Sequence, residues 1–511
     1  MPYSKTPAIS TYETKRVNFF QNPTARSYRS DKDFRLLNMM VETIPNNVGQ
    51  SPDVRLKSRA SVVNFTYSGP ASGTARGIFV VETAPYPIAP AVYTVVGNKL
   101  YNKNVAVQTL ATSTGSVGWA EFLSSTGVKS LIMVDGTDGY VILTNFATGA
   151  TTSVTKIVSA NFPTPHVPTP VVMDAYLFLA KKDSNDIYNS NLDHPELWTA
   201  GDYISAEMYA DNIVALAKNN NYLYALGSDS VEFFYDAANA TGTPLARQAS
   251  AVQQMGCACM NSVVQTEKQV VFVGTTSNGG FTIWLIDSFT PKEISIPAIR
   301  EYLFREARDY GDLSSTVNAY VIRSNNQKLY VLRCDARTFV YSFDTDMWHE
   351  WNGGTNSGAG GNFSGKFAAG GFSGAPYLQT WDGYIKLMYD DIVQTLPSSN
   401  TPSPYEGFDC IVQTQRLNFD TINRKTMSRL SLYGDNEYGT DTPEEVLVQW
   451  SDDDYTTWND GKYLEFTFYG DLPAIHQLGS FRQRAFKFTW VHSSSPIRIL
   501  GMEVDINKGI R

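Results

Sequence analysis

The sequence predicts an all-β protein, a six- or seven-bladed β-propeller followed by a C-terminal β-sandwich-like domain. Three observations carry this expectation. Pairs of short apolar segments recur from about residue 75 to 395, each pair joined by a Gly, Asp or Asn turn, and those turn residues suit the positive φ angles of tight hairpins. The repeat unit is roughly 30 to 60 residues, the range of propellers and arrays. Helical periodicity is rare. A single hairpin cannot bury both of its faces, whereas six or seven can if they stack radially and close into a ring.

The clearest hairpin is KLYVLRCDARTFVYSFDTDMWHEW, residues 328–351. Leu329 and Val331 before the polar tip Asp335-Ala336-Arg337, and Phe339, Tyr341 and Phe343 after it, alternate with the period of two of half-buried strands. Asp344-Thr345-Asp346 turns the chain again, because an Asp side chain bonds its own backbone two residues on. Trp348 and Trp351 follow, large enough to cap a small sheet. Weaker copies lie at 92–101, 131–143, 176–188, 222–235, 270–285 and 377–387.

In chain order, residues 1–33 are polar and of mixed charge, and read as an N-terminal arm that orders only against a neighbour. FRLLNMMVETI (34–44), ended by Pro45, opens the propeller body, assigned to 34–395 with blades from about 75. RLKSRASVV (55–63) carries Arg55, Lys57 and Arg59, a solvated basic face or a contact to an acidic partner or DNA. NFPTPHVPTP (161–170) is an extended loop. Pro297 followed by Ile299, Leu303 and Ala307 places a short helix between blades. Gly and Ser dominate 353–376, as a flexible tip or as a run of tight turns. LPSSNTPSPYE (396–406) is a linker by composition. Beyond it, apolar segments at 430–433, 446–450, 485–490 and 497–504 build the sandwich-like domain, 407–511.

A chain of 511 residues exceeds one ordinary core and implies several domains or one large repeat body. Hydrophobic residues make up 42%, enough for a sizeable core, while charged residues are only 18%. Low charge with 29 Tyr and 27 Phe fits a β-rich body with extensive buried contacts, within the chain or between subunits. The net charge of −9 argues against general nucleic-acid binding, since phosphates must be met by Lys and Arg. It is compatible with duplex DNA passing without being held. The four cysteines, Cys257, Cys259, Cys334 and Cys410, are too few for a disulfide framework. Cys257 and Cys259 are separated by one residue where structural zinc sites have roughly two to four, so they read as buried thiols. No signal peptide and no run of ~18 apolar residues is present, so no membrane span is expected, and the chain reads as made in a reducing cytoplasm.

No catalytic constellation stands out. Ser451-Asp452-Asp453-Asp454-Tyr455-Thr456-Thr457-Trp458 resembles the Asp-box, Ser-x-Asp-x-Gly-x-Thr-Trp, of sialidases, with Tyr455 where Gly is expected. An Asp-box is a folding turn and implies no active site. The acid pairs Asp344/Asp346 and Asp390/Asp391 and the run Asp452 to Asp454 sit at turn positions. Glycoside hydrolysis needs two carboxylates ~5 to 10 Å apart across a sugar. Asp183-Ser184-Asn185-Asp186 lacks the Gly and Glu of a calcium loop. His166, His194, His349, His476 and His492 include no i, i+4 pair for zinc. Gly365-Lys366 is followed by Phe367 rather than the Ser or Thr of a phosphate loop, and no Gly-x-Ser-x-Gly elbow occurs. The expectation is therefore no catalytic residue, no metal and no cofactor, with nucleic-acid and partner contacts unassigned.

Several segments together resemble a known family. They are Leu37-Asn38-Met39-Met40-Val41-Glu42, Arg76-Gly77-Ile78 leading into the 93–101 hairpin, Ser230-Val231-Glu232-Phe233-Phe234, the 329–351 blade, and the ending from Phe481-Arg482-Gln483-Arg484 to Ile497-Arg498-Ile499-Leu500-Gly501-Met502. Their order resembles the packaged-DNA stabilisation protein (tail accessory factor, nozzle or hub) of short-tailed bacteriophages, from about 34 to 511. The resemblance implies a structural protein of the virion tail, assembled in the host cytoplasm. It implies a homo-hexameric ring below the portal and its head-to-tail adaptor ring, closing the DNA exit and holding tailspikes or fibres. Two other classes compete. A carbohydrate-active propeller, sialidase-like or a depolymerase, would carry an acidic, aromatic-lined groove. A propeller acting as a binding module would be a monomer.

Overall fold

The computed structural model describes residues 13–19, 32–44, 53–64, 73–81, 90–239, 241–276, 279–324, 326–353, 361–370, 375–389, 408–436, 444–466, 473–492 and 497–508. It divides into two compact units, one of residues 60–340 and 362–405, the other of 1–59, 341–361 and 406–511.

The first unit is a β-propeller of seven blades among the described residues. Blade 1 runs Ala75–Val81, Ala91–Val96, Lys99–Asn102, Val105–Thr109, and blade 2 runs Gly118–Leu123, Lys129–Val134, Gly139–Thr144, Thr151–Lys156. Blades 3 and 4 follow from Val171–Met173 and Ile213–Asn219. Blade 5 is centred on Gln269–Thr275 and Phe281–Asp287, and blade 6 on Asn318–Ser324 and Gln327–Arg333. Blade 7 comprises Gly365–Ala369, Tyr377–Thr380 and Ile385–Tyr389, and its outermost strand is Ser61–Asn64, supplied by the start of the unit. Pairing of Leu387 with Val63 and Met388 with Val62 closes the ring.

Apolar layers separate neighbouring blades from blade 7 round to blade 5. Val63, Ile78, Val92 and Leu387 pack between blades 7 and 1. Val95, Leu100, Leu131 and Met133 fill the gap to blade 2, and Ile132, Leu177, Leu179 and Trp198 the gap to blade 3. Phe178, Leu216 and Phe234 join blades 3 and 4, and Tyr224, Phe233, Phe272 and Ile286 join blades 4 and 5. The circle continues with Tyr330 Oη donating to the Ser262 carbonyl at 3.1 Å, from blade 6 to blade 5, and Tyr320 Oη to the Gly365 carbonyl at 3.2 Å, from blade 6 to blade 7. Burying one such Val, Leu, Ile or Phe side chain stabilises by about 1.5–3 kcal/mol, so the layers dominate the energetics. The innermost strands approach other backbone closely. A Cβ on Gly118 would lie 2.1 Å from the Pro168 carbonyl oxygen, and one on Gly256 1.7 Å from that of Ser228. The predicted helix is present as Pro297–Tyr310, with proline in its first turn and Gly311 at φ 86° ending it.

The second unit is a β-sandwich. One sheet has the order Met39–Ile44, Asp53–Ser58, Ile497–Lys508, Lys425–Asn436, Ala474–Phe481, with Glu13–Asn18 also paired to Ile497–Lys508. The other orders Met347–Gly353, Arg35–Leu37, Phe408–Gln413, Ala485–His492, Glu444–Ser451, Lys462–Phe466. One core, including Phe19, Leu56, Cys410, Met427, Phe488 and Met502, lies between them.

The division departs from the linear boundaries of the sequence. Within the expected arm, Glu13–Asn18 is a strand in register with residues 501–506 and Phe19 is buried. Residues 35–44 and 53–58, expected in the propeller body, belong to the sandwich, which is therefore built from three separate pieces of chain. The basic segment is not a solvated face. Arg55 is paired with Glu42 at 2.6 Å, and Arg59 is buried, with Nε on Asn38 Oδ1 at 2.9 Å and its guanidinium 3.7 Å from the centre of the Phe408 ring. In the glycine-rich tract, Gly365–Ala369 is a blade strand, while 354–360 and 371–374 lie outside the described residues. The 396–406 linker also lies outside them.

Candidate functional site

The acids singled out in the sequence are occupied by local structure. In the Asp-box-like turn, Asp453 accepts from the Thr457 hydroxyl at 2.6 Å, the Thr457 N–H at 2.9 Å and the Ser451 hydroxyl at 2.8 Å. These bonds, the Thr457 hydroxyl first, hold its carboxyl down to about 2. Asp452 takes a two-pronged bond from Arg484 at 2.7 and 2.8 Å. Asp454 is paired with Lys32 at 2.9 Å and Arg416 at 3.2 Å. Three adjacent carboxylates thus have three separate sets of partners and do not face one another across a cleft. Tyr455 sits at φ 65°, the left-handed conformation that explains glycine in the Asp-box pattern, and its hydroxyl donates to the Thr414 carbonyl at 3.0 Å.

The other candidates are dispersed. Asp346, at φ 55° in its turn, accepts from the Tyr341 hydroxyl at 2.5 Å. Asp186 accepts from Ser184 at 2.9 Å and Ser205 at 2.6 Å. Asp390 and Asp391 lie outside the described residues. His349 and His492 are buried in the sandwich, and burial pushes their imidazoles down to about 4 and about 3, with Arg59 and Lys57 adding to the effect at His492. His166 is buried in the propeller, its Nδ1 2.9 Å from the Pro163 carbonyl, and burial lowers it too. His194 is exposed beside Glu196 at 3.0 Å. The four cysteines are buried free thiols, and burial raises Cys257, Cys259 and Cys334. Among the described residues, no three His, Cys, Asp or Glu side chains gather to hold a metal ion, and no helix is long and apolar enough to cross a membrane.

A dense polar arrangement lies where the ring closes, and sequence reasoning did not find it. Gly73 N–H donates to the Asp382 carbonyl at 3.0 Å and Ala75 N–H to that of Trp381 at 3.1 Å. Gln379, fully buried, accepts from Gly77 N–H at 3.1 Å and donates to the Val95 carbonyl at 3.1 Å. Arg76, 1% exposed, donates to the carbonyls of Gly115 at 2.7 Å, Gly97 at 3.0 Å and Thr112 at 2.9 Å. Lys366 donates to the Ala75 carbonyl at 2.8 Å. Lys366 Nζ and Arg333 Cζ stand 4.3 and 4.5 Å from the centre of the Trp381 ring. Burial, then Arg333 and Arg76, push the Lys366 ammonium down to about 8. Residues 76, 333, 366 and 381 are brought together only by closure, so no local pattern marks them.

A protein-family model described as "Phage_stabilise: Bacteriophage P22 Gp10, beta-propeller" matches residues 65–364, more than half of the chain. The chain belongs to this family of phage structural proteins. The match runs from ahead of blade 1 through blade 6 and stops just before the first strand of blade 7. No curated protein matches the sequence. Solved structures similar to the chain include the N-terminal domain of Nup159, at 9% identity over 68% of this chain and 95% of that one, TM-score 0.36. An exo-β-1,3-galactanase from Phanerochaete chrysosporium is similar at 10% identity over 76% of this chain and 99% of that one, TM-score 0.24. The extracellular domain of a putative hybrid two-component system from B. thetaiotaomicron is similar at 12% identity over 86% and 47%, TM-score 0.37. Likenesses at these scores carry no argument about function.

Proposed function

We propose that the protein is a structural component of a short-tailed phage virion and forms the tail hub or nozzle. Six copies ring the tail axis below the portal's adaptor ring, close the exit channel over packaged DNA and anchor tailspikes or fibres. The observation that carries this reading is the match of the Gp10 family across six of the seven blades. The chemistry of the chain is compatible with it. The Asp-box-like acids Asp452, Asp453 and Asp454 belong to the sandwich and are held in a turn and in ion pairs. A net charge of −9 lets duplex DNA pass a protein wall without being captured. The role is mechanical and needs no cofactor: identical chains surround the channel and move apart to release the genome.

Electron microscopy of the intact virion tests this. Six copies around the tail axis beneath the adaptor ring are expected, and particles lacking the protein should package DNA and then lose it. A location away from the axis would overturn the proposal. So would a monomer that cleaves host glycans while particles lacking it retain their DNA.

A further inference from the structure

Arg333, Lys366 and Arg76 come from blades 6, 7 and 1, and among the described residues no carboxylate bonds any of them. The N–H groups of Arg76 are largely directed at backbone carbonyls, so it adds charge to the cluster more than free donors. Arg333 is different. It is 4% exposed, its Nε makes one long bond of 3.3 Å to the Phe363 carbonyl, and its Nη1 is buried with no acceptor. An orphaned charged donor is costly and marks a site where an acceptor belongs. The carboxylates nearest in effect to Arg333 are engaged elsewhere. Asp335 accepts from the Tyr310 hydroxyl at 2.6 Å, and Glu306 from the Asp335 N–H at 3.0 Å. Lys366 has one donor on a carbonyl and two to spare, and it is only partly buried. Trp381, 42% exposed, lies against both cations.

We propose that this cluster, at the closing seam of the propeller, binds a phosphate-class oxyanion between Arg333 Nη1 and Lys366 Nζ beside Trp381. A guanidinium N–H and two ammonium N–H groups point in directions that do not share a plane. A tetrahedral oxyanion accepts such a set, whereas a planar carboxylate accepts best from one fork. Three neighbouring cations gain one counter-charge, which also relieves the repulsion from Arg333 and Arg76 that adds to burial in lowering the Lys366 ammonium.

The test titrates the full chain with sodium phosphate at constant ionic strength, read by calorimetry and by tryptophan fluorescence. One saturable site per chain is expected, weakened about tenfold or more in Lys366→Met and kept in Lys366→Arg, because one charge-assisted bond carries that difference. Lys366 is chosen because it is partly exposed, and an unchanged thermal midpoint certifies the fold. Trp381→Phe keeps the calorimetric signal and removes the fluorescence change. Dimethyl phosphate separates the sources: if it competes, the ligand is a phosphodiester of a chain, and if only inorganic phosphate binds, it is a free phosphate. No saturation beyond that given by chloride, equal affinity in Lys366→Met, or a fluorescence change surviving Trp381→Phe would each overturn the proposal.

Discussion

Arg76, on the first strand of blade 1, holds three backbone carbonyls, one in the turn at Gly97 and two on the chain entering blade 2, Thr112 and Gly115. Arg76→Met keeps the length of the side chain and removes every donor. The loss is about 3 kcal/mol, because three partly buried carbonyls lose a charged donor, and urea unfolding of the propeller checks it. His349 and His492 set a pH dependence in the sandwich. Both are neutral in the fold, with imidazoles pushed down to about 4 and about 3, whereas the unfolded chain takes protons near 6.5. Below pH 6.5 the unfolded state therefore binds more protons, and stability falls as pH drops toward about 4. The slope is about 1.4 kcal/mol per pH unit for each histidine, and above 6.5 the two contribute no slope. Urea midpoints of the sandwich at pH 7.5, 6 and 5 check the sign, and His492→Gln should flatten part of it. None of these roles was visible residue by residue. A lone Arg or His has the same sequence signature buried or exposed, and the Asp-box-like turn was legible only because its bonds are local.

At the scale of elements, the apolar pairs found in the sequence are the two middle strands of each blade, such as Tyr222–Gly227 with Val231–Asp236. The middle strands are buried on both faces and therefore rich in Val, Leu, Ile, Phe and Tyr. Some inner strands carry glycine where other backbone crowds in, as at Gly118 and Gly256. The outer strands are half exposed, as in Val105–Thr109, so their composition resembles loop. Ser61–Asn64 was hidden for a further reason, since its partner is more than 300 residues away in sequence. That strand is the clasp of the ring. Val63 is 4% exposed, and Val63→Asp places a charge in the layer between blades 7 and 1. A loss of about 3 kcal/mol or more is expected. Hydrogen exchange should quicken across 377–389 while blades 3 and 4 stay protected.

Over the whole molecule, the chain enters the sandwich, leaves to build the propeller, returns for residues 341–361, goes back to finish blade 7, and ends in the sandwich. A cut at the compositional linker would therefore not yield a self-contained C-terminal domain. A fragment of 407–511 lacks Arg35–Leu37 against Phe408–Gln413 and Asp53–Ser58 against Ile497–Lys508, and it lacks Phe19 and Leu56 from the core. It is expected to show no cooperative unfolding transition and to bind a hydrophobic dye, whereas the full chain shows a cooperative transition for the sandwich. Calorimetry of the two checks this.

Strand identity, blade rhythm and the short helix were determined by the sequence alone, because hairpins and helices are written in contacts a few residues apart. The tertiary structure decided what joins the ends: which strand clasps blade 7, which distant pieces share the sandwich core, and which cations meet at the seam. Those choices depend on burial shared between segments hundreds of residues apart, and the free energy of such contacts exists only once the ring has closed.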